Sequence, residues 1–246
     1  RLSRGLGDVY KRQDYLLLTS VIDSDSGIEA RYEIFDVRKK SKIRSSKVYG
    51  VTNNVRQLSH YVSDGIYEAI TGIQGVASTK ILYVSQSNEV DTSYRLYVAD
   101  ADGVNEQLLV KSPEPIISPA WSPDSKKVAY VSFETGIANV YIQDISTGER
   151  QSIIEKRCLT CISNEQISSP SWSPDGKYLS LTLYQDGNAE IYIYNLQKRN
   201  LTRLTNHYSI DTESQWSPDG RKLMFTSGRS GSPHLYELDL RKLNKK

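Results

Sequence analysis

From residue 77 onward the chain repeats one order of apolar and polar positions. A nearly continuous apolar run, such as "YLSLTLY" or "KLMFTS", is followed by a Gly-rich turn and then by an alternating run such as "IYIYN" or "LYELD". Short runs of these two kinds, separated by turn residues, are typical of β-strands and not of helices. With the shorter runs that flank them, they predict four antiparallel strands in each copy.

One tetrapeptide marks the copies. The chain has three tryptophans, and each begins a Trp-Ser-Pro-Asp motif, at Trp121, Trp172 and Trp216. The intervals are 51 and 44 residues, and a tyrosine of the alternating run follows each motif after 20 residues: Tyr141, Tyr192 and Tyr236. Blades of β-propellers recur at about 40–50 residues. A β-sandwich also has short strands but does not need this constant offset, so the pattern favours a propeller.

The residues of the motif have structural interpretations. Pro presets φ and Asp-Gly tolerates a positive φ, so "SPDG" predicts a tight turn. The first copy has Ser125 where the others have Gly176 and Gly220. We therefore expect the backbone of the first turn to be more strained than that of the other two. We expect each Trp to pack between blades, and each Asp to serve the turn and not catalysis.

Residues 14–76 follow a different pattern. The runs "DYLLLTSVI" and "ARYEIFDV", joined by "DSDSG", predict two strands, and "KIRSSKVYGV" predicts a third. Asn53 or Asn54 is expected to cap a following helix and Gly72 to end it, while Gly65 inside it costs up to about 1 kcal/mol. The apolar face of this helix is predicted from residues at helical spacing: Val55, Leu58, Val62, Ile66, Ala69 and Ile70.

These patterns predict a mainly β fold in three segments. Residues 1–13 have no apolar period and resemble a translated sequencing adapter, so they are an artefact or a disordered leader. Residues 14–76 are a partial, truncated α/β domain, and residues 77–246 are an incomplete β-propeller of about three and a half blades. The first blade has no innermost strand before Lys80. We expect a fragment, with further blades and the closing strand lying beyond it.

Composition and charge exclude several classes of function. The chain has 246 residues, a net charge of +2 and 38% hydrophobic residues. This balance indicates a globular protein without a nucleic-acid partner, and no apolar run is long enough for membrane insertion as a spanning helix. No Gly-x-Ser-x-Gly or His-Glu-x-x-His motif occurs. His207, Asp211 and Glu213 lie close in sequence, but we expect no metal, no other cofactor and no catalytic residue.

One longer stretch is more specific than the repeat. The sequence "SDGIYEAITGIQGVASTKILYVSQ", followed by "SPAWSPDSKKVAYVSFE", resembles the TolB family of the Tol-Pal envelope system. The resemblance covers residues 14–246. It implies an N-terminal α/β domain followed by a six-bladed propeller whose last strand completes the first blade. It also implies a non-enzymatic periplasmic protein that helps to maintain outer-membrane integrity and envelope constriction during cell division.

The resemblance further implies the partners and the contact residues. The main partner is Pal, a lipoprotein of the outer membrane that docks over one mouth of the propeller channel; TolA is contacted through an N-terminal segment absent here. The connections entering the innermost strands point to that mouth, so partner contacts are expected at Ser118, Gln166, Ser169, Thr212 and Glu213. Gln166 stands where some relatives have His. The structural alternative is that these residues only complete loop turns.

Two further expectations depend on this resemblance. Cys158 and Cys161 form "CLTC" in a loop, and in an oxidising periplasm we expect a local disulfide; two free thiols are the alternative. The rival function is the propeller domain of a prolyl-oligopeptidase-type serine peptidase, a class with similar Trp-Ser-Pro-Asp-Gly motifs. That class predicts a Gly-x-Ser-x-Gly nucleophile downstream and no segment resembling "GIYEAITG" upstream.

Overall fold

A computed structural model describes residues 13–24, 27–51, 54–86, 92–153, 166–185 and 187–241. The chain divides into two compact units. The first comprises the chain up to Ile81 together with Ala99–Asn105. The second comprises Leu82–Val98 and the chain from Glu106 onward. Each unit is described by itself below.

The first unit is an antiparallel sheet with one helix. Three strands lie in the order β1-β2-β3, as the sequence predicts: β1 (Tyr15–Ser24), β2 (Gly27–Asp36) and β3 (Ser41–Gly50). Helix α1 (Val55–Thr71) packs on β2 and β3. Its core joins Ile28 and Ala30 of the sheet to Leu58 of the helix.

The ends of α1 confirm the predicted signals. The side chain of Asn54 accepts a hydrogen bond from the backbone N–H of Gln57 at 3.2 Å. Gly72 adopts a left-handed conformation with φ of 74° and donates its N–H to the carbonyl of Glu68 at 2.8 Å. Both contacts satisfy backbone groups that a helix end leaves free. Val55 and Ile70, predicted on the apolar face, are exposed.

Gly65 has a role that its helix propensity does not reveal. A Cβ placed on Gly65 would lie 2.2 Å from the hydroxyl oxygen of Tyr32, far inside van der Waals contact. Arg44 donates to the carbonyl of Gly65 at 3.3 Å and to the carboxylate of Glu68 at 3.0 Å. The glycine therefore allows the helix to approach the sheet closely, which offsets its lower helix propensity.

The second unit is built from four small antiparallel sheets, as the repeat predicts. In the described part of the chain, two of them have four strands and the first and last have three. The first sheet contains β4 (Lys80–Gln86), β5 (Tyr94–Asp100) and β6 (Gln107–Ser112). The second contains β7 (Ile116–Trp121), β8 (Lys127–Ser132), β9 (Asn139–Asp144) and β10 (Arg150–Ser152). The third contains β11 (Gln166–Trp172), β12 (Tyr178–Gln185), β13 (Asn188–Asn195) and β14 (Asn200–Arg203), and the last contains β15 (Asp211–Trp216), β16 (Lys222–Ser227) and β17 (His234–Asp239).

Successive sheets pack face to face in chain order. Strand β11 contacts β7, β8 and β9 of the preceding sheet and β15 of the following one. Three hydrophobic cores fill the interfaces, and each includes one motif tryptophan: Trp121, Trp172 or Trp216. The indole N–H of Trp172 donates to the carbonyl of Ala120 at 3.3 Å, and that of Trp216 to the carbonyl of Ser171 at 3.1 Å. The prediction that the tryptophans pack between blades is confirmed.

The Ser-Pro-Asp turns have one geometry in all three copies. In the first, the hydroxyl of Ser122 donates to the carboxylate of Asp124 at 2.6 Å and accepts the N–H of Lys127 at 2.9 Å. The hydrogen bond from Ser122 is the main cause that lowers the pKa of Asp124. A lowered pKa suits a turn acceptor and opposes general-acid chemistry, so the expected structural role of the motif aspartates is supported.

The turns also contact one another across the sheets. Gly176 and Gly220 both have φ of 69°, and a Cβ on either would meet the proline of the preceding turn at ordinary contact distance. Ser125 adopts the same left-handed conformation with φ of 57°. The predicted backbone strain of the first turn is therefore present, because a residue with a Cβ occupies a conformation that favours glycine.

No helix in the described ranges combines the length and apolarity needed to cross a bilayer.

Exchanging the turn residues tests this source of strain. We expect Gly176→Ser to lower the free energy of unfolding by about 1 kcal/mol and Ser125→Gly to raise it by up to about 1 kcal/mol, because only glycine tolerates a positive φ without cost. Chemical denaturation of the purified chain measures both. Gly228→Ala is the control, because Gly228 does not have a positive φ and a Cβ there lies 3.9 Å from its nearest neighbour. Equal effects at all three positions would contradict the explanation.

Candidate partner-binding site

The innermost strand of three sheets carries the same irregularity. The pairing register shifts at equivalent places, between Ile117 and Ala120, between Ser168 and Ser171, and between Thr212 and Gln215. Such β-bulges bend a strand and redirect a side chain, and they are frequent beside functional sites. Sequence reasoning missed these bulges, and the Ser-Pro dipeptide in two of the three copies is the only local signal.

Each bulge holds a residue other than glycine in the left-handed region. Ser118 has φ of 51°, Ser169 has φ of 53° and Glu213 has φ of 55°. Each lies three positions before its tryptophan, so the conformation is part of the repeat. A left-handed residue with a Cβ costs about 1 kcal/mol or more. Strain of this kind persists only where the surrounding structure enforces it, and it clusters at functional sites.

These three residues line one concavity of about 670 Å³ in the second unit. Proline, tryptophan and small polar side chains make up most of its wall. Among the described residues that line it, Glu213 is the only charged one. The concavity therefore presents hydroxyl groups, apolar rings and one carboxylate, a surface suited to binding and to hydrogen bonding rather than to a metal ion.

The other two predicted contact residues lie differently. Thr212 directs its hydroxyl to that of Thr182 at 3.4 Å, and the same Thr182 hydroxyl accepts the backbone N–H of Glu213 at 3.3 Å. Gln166 is the exposed first residue of β11. Neither Thr212 nor Gln166 belongs to the described residues that line the concavity. The structure thus brings together Ser118, Ser169 and Glu213 and assigns Thr212 a supporting contact.

The wall of the concavity is cross-linked between sheets. The hydroxyl of Ser171 donates to the side-chain oxygen of Gln215 at 3.1 Å, which joins β11 to β15. The indole hydrogen bond of Trp216 also joins β15 to β11, and that of Trp172 joins β11 to β7. Because the strands are joined at several points, the bulge residues are held before any partner arrives, which reduces the entropy lost on binding.

A second concavity, of about 680 Å³, lies in the first unit beside α1. Two of its titratable side chains, His60 and Asp64, are already engaged. His60 contacts the carbonyl of Ala77 through Nδ1, and its Nε2 lies 3.4 Å from a carboxylate oxygen of Asp102. Asp64 accepts the backbone N–H groups of Ala77 at 2.6 Å and Ser78 at 2.8 Å. We interpret this cluster as structural, since it fastens the segment that follows the helix.

Two titratable residues near β15, His207 and Asp211, have partners within the protein. His207 accepts the N–H of Ser209 on Nδ1 at 3.1 Å, and the buried carboxylate of Asp211 pairs with Arg229 at 2.6 Å. Among the described residues, no group of three His, Cys, Asp or Glu side chains is placed to hold a metal ion. Cys158 and Cys161 lie outside the described residues.

Comparison with known proteins agrees with this geometry. The family described as the TolB β-propeller domain matches residues 67–245. The Tol-Pal system protein TolB of Alcanivorax borkumensis is 44% identical over 176 residues, which cover 71% of this chain and 39% of that protein. A crystal structure of TolB from Acinetobacter baumannii is 40% identical and superposes with a TM-score of 0.82 over 92% of this chain.

These matches cover only part of the length of the relatives. This chain covers 55% of the Acinetobacter structure, about half its length. A puromycin-hydrolysing peptidase from Mycobacterium tuberculosis shares only the fold, with 13% identity and a TM-score of 0.53. The repeated sheets, the motif tryptophans between them and the match over residues 67–245 agree with one another, and the chain belongs to the TolB β-propeller family.

Proposed function

We propose that this chain is part of a non-enzymatic periplasmic component of the Tol-Pal system, and that it binds the lipoprotein Pal. The observation that carries the proposal is the convergence of Ser118, Ser169 and Glu213 on one concavity through three equivalent bulges. A repeated strained backbone at one surface supports binding of a partner there. Relatives named Tol-Pal system protein TolB support the choice of system.

The proposal includes the wider role of the complete protein. Binding of Pal would join a soluble propeller to an outer-membrane lipoprotein that holds peptidoglycan. Contact with TolA would occur through the N-terminal part of the complete protein. Together these contacts would maintain outer-membrane integrity and support constriction of the envelope during cell division. These statements extend the family membership and are part of the proposal.

The chemistry of the concavity supports a binding role over an enzymatic one. Among the described residues, its lining includes serine hydroxyl groups but neither histidine, cysteine nor lysine. A serine nucleophile requires an adjacent general base, and Glu213 is the only ionisable candidate among the described lining residues. A single carboxylate surrounded by apolar and hydroxyl groups instead favours a partner that offers a cation or hydrogen-bond donors.

The contact residues are tested by joint substitution of Thr212 and Glu213 by alanine in the full-length gene product. We expect affinity for the soluble domain of Pal to fall at least about tenfold, because the Glu213 carboxylate and the Thr212 hydroxyl, which contacts the Thr182 hydroxyl that accepts the Glu213 N–H, are both lost. Isothermal titration calorimetry measures the dissociation constant. Glu149→Gln is the control, since Glu149 is exposed on another turn. An unchanged dissociation constant in the double variant would refute the assigned contacts.

The peptidase alternative makes a different prediction for the gene. A TolB-type protein continues past Lys246 with about two further blades and then stops. A peptidase of the prolyl-oligopeptidase class continues into a hydrolase domain with a Gly-x-Ser-x-Gly nucleophile. We expect the first result, and reading the gene beyond Lys246 decides between the two. A downstream hydrolase domain would overturn the proposed function.

We also propose that Cys158 and Cys161 form a disulfide in the oxidising periplasm. The two cysteines are separated by two residues in the sequence between β10 and β11. Mass spectrometry of protein purified from the periplasm, before and after reduction, should show a gain of two hydrogens after reduction. Alkylation of both thiols without prior reduction would contradict the disulfide.

A further inference from the structure

The loop that leads into β15 presents an exposed aromatic ring. Tyr208 is 85% exposed, the highest value among the exposed large hydrophobic residues of the described chain. Its ring lies against that of His207, with 4.2 Å between centroids. Ile210, two residues later, is 57% exposed. The same stretch continues directly into β15, which carries Glu213.

A buried carboxylate holds this loop in place. Glu190 of β13 is only 2% exposed. It accepts hydrogen bonds from Arg203 at 2.9 Å, from the hydroxyl of Thr205 at 2.5 Å and from the backbone N–H of His207 at 2.7 Å. Asn188 donates both to Glu190 at 3.2 Å and to the carbonyl of His207. Glu190 and Asn188 therefore hold the backbone on the N-terminal side of Tyr208 in place.

Further contacts of the loop come from Arg203, the last residue of β14, and from within the loop. Arg203 donates through Nε to the carbonyl of Thr205 at 2.7 Å and through Nη2 to Asn206 at 3.0 Å. The N–H of Ser209, on the C-terminal side of Tyr208, donates to the ring of His207 at 3.1 Å. Tyr208 thus stands between two anchored residues, and its ring projects from an ordered support.

The equivalent position in the preceding sheet is different. Asn139 occupies the place of Glu190, two residues before the repeat tyrosine, and donates to Ser152 at 2.7 Å. A neutral amide therefore suffices to join those strands. Burying an ionised carboxylate is costly unless it is fully hydrogen-bonded, and Glu is rarely buried. In the third sheet, the buried carboxylate of Glu190 accepts the backbone N–H of His207, and it therefore also holds the backbone next to Tyr208 in place.

We propose that Tyr208 is an aromatic anchor for the folded protein partner that docks at this end of the second unit, with Glu190 as its positioning residue. The inference rests on the proposed function and deepens it. Rigid, amphipathic tyrosine rings are enriched among the residues that dominate protein interfaces, and an ordered support lowers the entropy lost on binding. Tyr208, Ile210 and Glu213 together fit a partner surface with an apolar notch beside a basic or hydrogen-bond-donating group.

The anchor is tested with Tyr208→Ala and Tyr208→Phe in the full-length gene product. Titration with the soluble Pal domain should show at least about a tenfold loss of affinity for Tyr208→Ala, and a smaller loss for Tyr208→Phe, which keeps the ring. Tyr49→Ala is the matched control, because Tyr49 is 70% exposed and lies in the first unit. Its affinity should match that of the unchanged protein.

The outcomes separate the two proposals. Binding by the unchanged protein, with Tyr208→Ala within about twofold of it, would overturn the anchor and leave the proposed function intact. Failure of the unchanged protein to bind the Pal domain would overturn the proposed function and the anchor with it. Loss of binding in Tyr49→Ala equal to that in Tyr208→Ala would also refute a specific anchor.

The positioning role of Glu190 is tested by a double-mutant cycle. If Glu190 acts by holding Tyr208, then Glu190→Gln weakens binding of the Pal domain, but adds little further loss in the Tyr208→Ala background. A purely structural effect would instead add in full in both backgrounds. Asn188→Ala, which removes the bond to the His207 carbonyl, provides the same comparison if Glu190→Gln does not fold. Full additivity in the cycle would refute the positioning role.

Discussion

The fold of the second unit depends on one constraint: every small sheet must bury a face against the next sheet in the chain. A single repeat cannot bury its apolar face by itself, and stacking against its neighbours removes that surface from water. The motif tryptophans occupy these interfaces, and two of them donate an indole hydrogen bond to a backbone carbonyl of the preceding innermost strand. The same side chain therefore supplies buried area and sets how two neighbouring innermost strands align.

This alignment produces the candidate site. Because the innermost strands of three sheets are equivalent, the same bulge appears at the same position in each of the three, and three left-handed residues face one concavity. Packing of the sheets holds these residues in their strained left-handed conformation, which an isolated strand would leave. The loop that carries Tyr208 follows the same logic, because Glu190 from one sheet fixes the approach to the next innermost strand.

Local signals predicted local structure well in this chain. The turn chemistry of Ser-Pro-Asp-Gly, the cap at Asn54 and the stop at Gly72 each involve atoms within a few residues, so the sequence carries all the information they need. The bulges could not be predicted, because a register shift is defined by the partner strand. From the sequence, Gly65 is expected only to weaken the helix. The need for a residue without a side chain follows from its short distance to Tyr32, which only the structure shows.

The sequence by itself determined the repeat, the strand order within each sheet and the membership in a propeller family. The periodicity of apolar residues and the chemistry of turns depend on neighbouring positions in the sequence. The constant spacing from tryptophan to tyrosine identifies the repeating structural unit. Only the tertiary structure decided which side chains meet. It placed Ser118, Ser169 and Glu213 on one concavity and directed Thr212 to Thr182 instead. The equivalent positions before each tryptophan predicted a shared mouth, but which of these side chains line it depends on the packing of separate sheets, and the spacing along the chain does not encode that choice.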